Sequence, residues 1–306
     1  MGGVTIPGTK DLAFLDRLVG GGTLIADGAT GTYLQSKGLE PGGDPEAMNL
    51  THAGIVREMA AEYFRAGSDL VQTNSFGGSR FMQSKYGYGD QAGVLNRLAA
   101  EHARSVADSI DGPRFVAGSM GPTGELLEPV GDTPAADVYH AFAEQAICLE
   151  EGGADLAVIE TMISVEEAKL AVRAVKEHTG LPVAALATFD KGPRGYFTMM
   201  GDTPQSSADQ LARSGADIVG TNCGNGIDRM VELGAIFRAS TEIPVWLNSN
   251  AGIPVIRQGQ IIYPEDPERM AEGFAKLADI GVNILGGCCG TTPAHIRALA
   301  KVLRGQ

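Results

Sequence analysis

Short runs of apolar, often β-branched residues alternate along the chain with longer amphipathic stretches. The short runs are typical of buried strands, and the longer stretches have the period of helices that cover a sheet. The predicted strands are 23–26, 70–73, 115–118, 156–160, 183–188, 218–223, 245–248 and 283–285. The predicted helices are 55–66, 92–109, 137–151, 165–178, 206–214, 229–239, 267–280 and 293–303. This unbroken alternation favours a single-domain α/β protein over residues 1–306, a (β/α)8 TIM barrel, with a doubly wound sheet as the alternative.

A repeated feature supports the barrel. Four predicted helices end in a Gly that is followed two residues later by Asp or Asn, at Gly67, Gly153, Gly215 and Gly281, and each precedes an even-numbered strand. The polar residues that end these same strands are Thr73, Asn74, Glu160, Cys223, Cys288 and Cys289. Side chains at the carboxyl ends of barrel strands meet at one rim, so we expect these residues to form one site.

Charge and composition exclude several classes of protein. The net charge is −13 and no run of Lys or Arg could follow a phosphate backbone, so nucleic acid is not an expected partner. No apolar stretch reaches the roughly 18 residues of a membrane span, and the first residues lack the apolar core of a signal peptide. Four cysteines in 306 residues do not form a disulfide scaffold. We therefore expect a cytoplasmic protein whose clustered thiols bind metal or take part in catalysis.

Three cysteines carry the candidate chemistry. Cys288 and Cys289 follow the last predicted strand, and both sulfurs can serve one site only if the backbone turns between them. Neighbouring Gly287 and Gly290 permit such a turn. Cys223 ends the sixth predicted strand, and three thiols at the ends of two strands suggest a metal. A strained vicinal disulfide or a purely structural turn is the alternative.

Zinc is the metal that this ligand set favours, because zinc binds thiolates and its catalytic sites offer three protein ligands and one open position. Of the five histidines, only His295 is close in sequence to the thiols, and Cys148 lies inside a predicted helix as a small apolar residue. Zinc with three thiolates carries a net negative charge and is a weak Lewis acid for water. It suits an incoming thiol, whose pKa it lowers while the thiolate stays reactive. The implied chemistry is attack by a substrate sulfur on an activated alkyl group.

Seven segments, in order, resemble the homocysteine S-methyltransferase family. This family includes betaine-homocysteine methyltransferases, S-methylmethionine-dependent enzymes and the homocysteine-binding domain of cobalamin-dependent methionine synthase. The segments are 27–32, 72–76, 117–124, 159–161, 220–223, 250–252 and 286–293. The resemblance covers almost the whole chain, and the paired cysteines together with Asn222-Cys223 are its most specific part.

The resemblance assigns roles to individual residues. The implied zinc ligands are Cys223, Cys288 and Cys289, with Asn250 as a weak fourth ligand when substrate is absent. The implied homocysteine contacts are Asp27 and Glu160 to the amino group, the backbone around Ser75 and Phe76 to the carboxylate, and Thr73 and Asn74 in the same segment. From the residues alone, Asp27 could equally be a turn former, and Glu160 could pair with a Lys or Arg.

The resemblance also implies a reaction, in which a zinc-bound homocysteine thiolate attacks the donor methyl group in line and methionine forms. The donor would be a small onium compound such as a betaine or S-methylmethionine, or a methylcorrinoid carried on a separate protein. Aromatic residues suited to a cationic donor are Phe76, Phe81, Tyr86, Tyr88 and Trp246.

Two loops depart from the family pattern and leave the donor and the acceptor thiol open. Residues 224–226 stand where many relatives have a Gly-Pro turn, and Asn248-Ser249 stands where methionine synthases commonly place Glu-Pro or His-Pro. The alternatives are a methyltransferase of the same family with another thiol or a corrinoid as acceptor, and a non-catalytic metal-binding or redox barrel. A Schiff-base barrel is disfavoured because no Lys ends a predicted strand; Lys191 lies in a loop.

Overall fold

The computed structural model describes residues 9–257 and 260–305. The strands are β1 (Leu24–Ile25), β2 (Leu70–Gln72), β3 (Phe115–Met120), β4 (Leu156–Met162), β5 (Val183–Ala187), β6 (Asp190–Gly192), β7 (Gly195–Phe197), β8 (Ile218–Asn222), β9 (Val245–Ser249), β10 (Val255–Arg257), β11 (Gln260–Ile262) and β12 (Ile284–Gly287). The helices are α1 (Thr9–Val19), α2 (Thr30–Ser36), α3 (Met48–Thr51), α4 (Ala53–Ala66), α5 (Arg80–Lys85), α6 (Ala92–Ala107), α7 (Ala135–Glu151), α8 (Val165–His178), α9 (Pro204–Arg213), α10 (Ile227–Ser240), α11 (Pro267–Ile280) and α12 (Pro293–Arg304). None of these helices within the described ranges has both the length and the apolar character needed to cross a membrane.

Eight strands form one parallel sheet in the order β1-β12-β9-β8-β5-β4-β3-β2. The two ends of this sheet meet, because the Asp69 amide donates to the Ile25 carbonyl oxygen at 2.7 Å and the Ile25 amide donates to Asp69 Oδ2 at 2.8 Å. A doubly wound sheet has two separated edges, so this alternative is excluded. The predicted (β/α)8 barrel is confirmed.

All eight predicted strands and all eight predicted helices are present, each within a few residues of its predicted ends. The structure adds elements that were not predicted. The helices α2, α3 and α5 have 7, 4 and 6 residues, too few to show a helical period. The antiparallel hairpins β6–β7 and β10–β11 are inserted after β5 and β9. These additions therefore belong mainly to the loops that follow the carboxyl ends of barrel strands.

Apolar side chains from alternate strand positions fill the barrel. The interior cluster includes the fully buried Leu24, Leu70, Leu156, Ile218, Trp246 and Ile284. The helix α1, which was also not predicted, joins this cluster through Phe14 and Leu18, and the rings of Phe14 and Phe115 are 5.3 Å apart. Because α1 precedes β1 and packs on this cluster, it closes the amino-terminal end of the barrel. The carboxyl ends of the strands are left to form a site.

Candidate active site

The three cysteines implied as metal ligands follow two strands that flank β9. Cys223 comes directly after β8, and Cys288 and Cys289 come directly after β12. The end of β9 holds both segments, since the Cys223 amide donates to the Asn248 carbonyl oxygen at 3.2 Å and the Cys288 amide donates to that of Ser249 at 2.7 Å. The barrel topology therefore brings together thiols from distant parts of the sequence.

The three sulfur atoms lie close enough to share one metal ion. All three Sγ atoms are within 4.8 Å of one another, and those of Cys223 and Cys289 are 3.9 Å apart. Zinc–sulfur bonds of about 2.3 Å in a tetrahedral site put two sulfurs about 3.8 Å apart, so the cluster fits zinc with one position left for a further ligand. All four cysteines are free thiols, so Cys288 and Cys289 do not form a vicinal disulfide.

Unusual backbone conformations turn the sulfurs into one site. Gly290 has a φ of 80°, and a Cβ on Gly287 would lie 2.3 Å from Thr291 Oγ1, which donates to the Cys288 carbonyl oxygen at 2.7 Å. Cys223 has a φ of 62°, a left-handed conformation that is uncommon for a residue with a side chain. Strain of this kind clusters at functional sites.

Mutual hydrogen bonding perturbs the three thiols. Donation from Cys223 and Cys288 lowers the pKa of the Cys289 thiol, whereas contacts with the other two sulfurs, together with burial, raise the pKa of Cys288. A bound dication would displace the remaining protons, because metal binding and thiol deprotonation are coupled. Within residues 9–257 and 260–305, no other group of three or more His, Cys, Asp or Glu side chains could hold a metal ion.

A cavity of about 430 Å³ lies beside the thiols. Its lining includes Cys223, Cys288, Cys289, Gln72, Thr73, Asn74, Phe76, Ser119, Glu160 and Thr161, together with Ala29, Glu46, Met82 and Tyr86 from the surrounding loops. This volume is in the range of small-molecule sites. The clustered thiols and a buried carboxylate therefore face the same space.

That carboxylate belongs to Glu160 in β4, which is only 6% exposed. Its Oε1 accepts hydrogen bonds from Gln72 Nε2 and from Ser119 Oγ, the latter at 2.5 Å, and its Oε2 accepts one from Asn222 Nδ2 at 3.1 Å. Its partners are thus neutral donors rather than a Lys or Arg. Burial raises the pKa of Glu160 to about 7, and the hydrogen bonds from Ser119 and Gln72 oppose this shift. A cationic ligand would stabilise the charged form.

Asp27 follows β1 and is almost completely buried. Its Oδ2 accepts from the Gln72 amide at 2.8 Å, whereas its buried Oδ1 has no hydrogen-bond partner among the described residues. Burial raises the pKa of this carboxyl well above its ordinary value. Asp27 lies behind Gly28 and Gln72, which line the cavity. An unpaired buried carboxylate oxygen is unusual, and the role of Asp27 in substrate binding stays a prediction.

The loop after β2 contains the other implied substrate contacts. Thr73, Asn74 and Phe76 line the cavity, whereas Ser75 is fully buried behind it. The Ser75 amide donates to the Thr73 carbonyl oxygen at 2.9 Å, and the Ser75 hydroxyl donates to the Ser119 carbonyl oxygen at 2.7 Å. The amides of Asn74 and Phe76 have no acceptor within the described part of the chain. The role of this segment in binding the substrate carboxylate stays a prediction.

Glu46 is a buried cavity residue that was not predicted. It lies between α2 and α3, and its Oε1 accepts from the Gly77 amide at 2.6 Å. Burial, followed by a hydrogen bond with Asp44, raises the pKa of Glu46 to about 8. Asn74 fixes this loop by donating to the Pro45 carbonyl oxygen at 2.7 Å. The surrounding Gly- and Pro-rich stretch has no periodicity from which the position of Glu46 could be inferred.

Three of the five aromatic residues predicted to lie near a cationic donor are placed elsewhere. Phe76 and Tyr86 line the cavity. Trp246 is fully buried in the barrel interior, because it precedes the end of β9 and its side chain packs below the rim. Phe81 and Tyr88 lie outside the lining, and Phe81 in α5 borders a separate surface depression with Arg80. The prediction was therefore wrong for these three residues.

Asn250 and His295 were the remaining candidates for a metal ligand. The buried Oδ1 of Asn250 has no hydrogen-bond partner within the described ranges, so its role as a weak fourth ligand stays a prediction. His295 uses both ring nitrogens, since Nδ1 bonds the Thr292 hydroxyl at 3.0 Å and Nε2 bonds the Glu265 carbonyl oxygen at 3.1 Å. It forms a capping box at the start of α12 rather than a metal ligand.

The fold and the site define a TIM-barrel protein with a cluster of three cysteines, at the carboxyl ends of its strands, that could hold a metal ion. The sequence model of the homocysteine S-methyltransferase family matches residues 24–303, and the chain belongs to this family. It is 34% identical over 295 residues to methionine synthase of Mycobacterium tuberculosis and 33% identical over 295 residues to that of Mycobacterium leprae. Each match covers 92% of this chain and 24% of the relative, so the chain spans about a quarter of the length of these curated relatives.

A solved structure confirms the architecture. The metallated form of the homocysteine methyltransferase MmuM from Escherichia coli is 21% identical, with a TM-score of 0.78 over 95% of this chain and 99% of that one. At 21% identity, this structural similarity shows the fold alone. The family and the barrel predicted from the sequence are confirmed, and the predicted enzyme class, a homocysteine S-methyltransferase, is that of the family.

Proposed function

We propose that residues 1–306 act as one domain, a zinc-dependent methyltransferase that transfers a methyl group to homocysteine and forms methionine. The observation that carries this proposal is the shared cavity, which is lined both by the three clustered cysteines and by the buried Glu160. Homocysteine has a thiol at one end and an ammonium group at the other. A cavity with a thiol-binding metal site and a buried carboxylate matches both ends.

The amino-acid end of homocysteine finds partners in the lining and just behind it. Glu160 lines the cavity and its Oε2 has one donor among the described residues, so it can accept from an ammonium group. Asp27 Oδ1 has no such donor but lies behind the lining, within reach of a ligand only if the lining moves. Asn74 and Phe76 line the cavity and their amides have no acceptor among the described residues, so this loop is where we place the substrate carboxylate. These contacts would fix the amino-acid end and direct the thiol towards the cysteines, which is how orientation lowers a reaction barrier.

Cys223, Cys288 and Cys289 would hold the metal, and their spacing fits zinc. When bound, zinc supplies a positive centre that keeps the substrate thiol deprotonated. In the transfer, the homocysteine sulfur forms a bond to the methyl carbon while the bond from that carbon to the donor breaks, and its electron pair leaves with the donor. The transfer itself therefore requires no side-chain base.

Because free thiols persist in reducing compartments, we place the protein in the cytoplasm.

Two classes of methyl donor fit this proposal. A small onium compound, such as a betaine or S-methylmethionine, is favoured by Phe76 and Tyr86, whose partly exposed rings line the cavity near the carboxylate of Glu46. A methylcorrinoid carried on a separate protein is the second class, and the similarity to methionine synthases supports it.

The decisive experiment combines metal analysis with a donor panel. Protein purified under reducing conditions is analysed for zinc, and sulfur coordination is followed by X-ray absorption before and after homocysteine is added. Methionine formation is then measured with a betaine, S-methylmethionine and a methylcorrinoid protein. We expect one zinc per chain, a fourth sulfur on adding homocysteine, and methionine with at least one donor. Absence of zinc, or zinc without a fourth sulfur or any methionine, would instead support a non-catalytic metal-binding or redox barrel.

A further inference from the structure

The only tryptophan of the chain begins a line of buried hydrogen bonds that ends at the cavity. Trp246 Nε1 donates to Asn248 Oδ1 at 2.7 Å, and Asn248 Nδ2 donates to Gln72 Oε1 at 3.3 Å. Gln72 Nε2 in turn donates to Glu160 Oε1. We call Trp246, Asn248 and Gln72 the amide relay. It crosses the barrel interior from β9 to β2 and reaches β4.

The direction of every bond in the amide relay follows from its first member. An indole N–H can only donate, so Asn248 must present Oδ1 to Trp246 and Nδ2 to Gln72. The Gln72 amide must then present Nε2 to Glu160. Reversing either amide would bring donor to donor or acceptor to acceptor, and an unsatisfied buried group costs about 1–3 kcal/mol. All members are at most 8% exposed, so water is a poor substitute partner.

The barrel makes room for the amide relay at a glycine of the cysteine segment. A Cβ on Gly286 would lie 2.5 Å from Asn248 Oδ1 and 2.7 Å from the Ala26 Cβ. Gly286 pairs directly with Asn248 in the register of β12 and β9. The absence of a side chain at this position therefore leaves the space that Asn248 Oδ1 occupies while it accepts from Trp246.

The consequence appears at Glu160. Among the described residues, every polar atom that hydrogen-bonds to this carboxylate is a donor, namely Gln72 Nε2, Ser119 Oγ and Asn222 Nδ2. Burial alone disfavours the charged carboxylate, whereas donors favour it. A reversed Gln72 amide would place its oxygen against the Glu160 carboxylate. It would thereby disfavour the negative charge on Glu160 that attracts an ammonium group.

We infer that Trp246 and Asn248 are positioning residues for the substrate: through Gln72 they hold Glu160 as an acceptor for the ammonium group of homocysteine. Neither residue lines the cavity, so they act through Gln72 and Glu160 rather than by touching the ligand. The inference rests on the proposed function, because it assigns the ammonium group to Glu160. It also gives a physical role to Asn248, which stands in one of the segments that depart from the family pattern.

The test compares two ligands on the zinc-loaded protein by calorimetry. One ligand is homocysteine, and the other is 4-sulfanylbutanoate, the same molecule without its amino group. We expect the wild type to bind homocysteine roughly tenfold or more tightly, since hydrogen bonds to charged groups contribute about 1.5–3 kcal/mol. Trp246→Phe removes the donor and should reduce this preference roughly threefold. Asn248→Asp cannot donate to Gln72 while ionised, and should reduce the preference roughly tenfold.

Affinity for 4-sulfanylbutanoate and zinc content should stay unchanged in both variants, which a merely structural role would not predict. Tyr63→Phe is the matched control, because it also removes one buried aromatic donor, to the Ala29 carbonyl oxygen at 3.1 Å, but lies outside the amide relay. If Trp246→Phe does not fold, the result for Asn248→Asp alone tests the inference, since this substitution adds no volume. A wild-type preference that both folded variants retain would overturn the inference and leave the proposed function intact. A wild type that binds neither ligand would overturn both.

Discussion

The sulfur atoms of Cys223 and Cys289 lie 3.9 Å apart although 66 residues separate them in the sequence. Their strands both neighbour β9, and the amides of Cys223 and Cys288 bond to its last two residues. The three-cysteine cluster therefore depends on the register of three parallel strands as much as on the cysteines.

Replacing one cysteine should remove the metal. Loss of a residue that only supports a metal ligand weakens metal binding roughly 10- to 100-fold. We expect Cys288→Ala to weaken zinc binding by more than this, because it removes a ligand and leaves two thiolates. Zinc stoichiometry and the rise in melting temperature on adding zinc measure this effect. Cys148→Ser is the control, since Cys148 lies in α7 outside the cluster. Zinc binding by Cys288→Ala with wild-type affinity would contradict the site.

Removing the charge of Glu160 should weaken homocysteine binding. Glu160→Gln keeps the side-chain shape but replaces an accepting oxygen with a donor, so we expect KM for homocysteine to rise about 10- to 100-fold. Steady-state kinetics at varied homocysteine and fixed donor measure the change. Glu166→Gln serves as control because Glu166 is exposed, and its KM should change less than about twofold. Equal KM values for the two variants would refute the role of Glu160.

The buried Glu46 should make stability fall as the pH rises. Its pKa is raised from 4.5 to about 8, so the unfolded chain releases this proton at lower pH than the folded protein does. The free energy of unfolding should therefore decrease from about pH 5 to about pH 8 through this group. Glu46→Gln cannot ionise, and its oxygen can still accept from the Gly77 amide. Urea denaturation at several pH values should show the variant gaining stability relative to the wild type across this window; parallel curves would contradict the expectation.

Gly286 should not tolerate a side chain. A Cβ there would lie 2.5 Å from Asn248 Oδ1 and 2.9 Å from the Asp27 carbonyl oxygen, so we expect Gly286→Ala to lower the free energy of unfolding by about 1–3 kcal/mol. Urea denaturation measures the loss. Gly54→Ala, at an exposed position in α4 with no atom within 4 Å of the added Cβ, should be neutral or slightly stabilising. Similar stability of the two variants would show that the barrel interior around Gly286 can accommodate a Cβ, contrary to this prediction.

The aromatic lining distinguishes the two donor classes. If the donor is an onium compound, Tyr86→Leu should raise its KM about 2- to 30-fold, because cation–π contacts contribute roughly 0.5–2 kcal/mol. KM for homocysteine should change little. Phe81→Leu is the matched control, since Phe81 lies close in sequence but outside the cavity lining. An unchanged donor KM in Tyr86→Leu would exclude the ring of Tyr86 as an onium contact.

Much of the fold was predictable because each barrel strand and each outer helix has its own hydrophobic pattern. The eight strands were predicted with the correct polar residues at their ends, and the thiols of Cys223, Cys288 and Cys289 do meet as expected. The short helices α2 and α5 were not predictable, since each spans fewer than two turns. Of the cavity residues, Glu46 follows α2, Met82 lies within α5 and Tyr86 follows α5, so this part of the cavity lining was not predictable either.

The sequence by itself determined the family, the barrel and which thiols meet at one rim, because these depend on local periodicity and on residue types that carry specific chemistry. Only the tertiary structure decided which polar groups face Glu160, that Trp246 lies beneath the site rather than in it, and that Glu46 reaches the cavity. These relations depend on the register between strands distant in sequence and on the direction of each side chain. Neither the register nor the side-chain directions can be inferred from the hydrophobic pattern of a single segment.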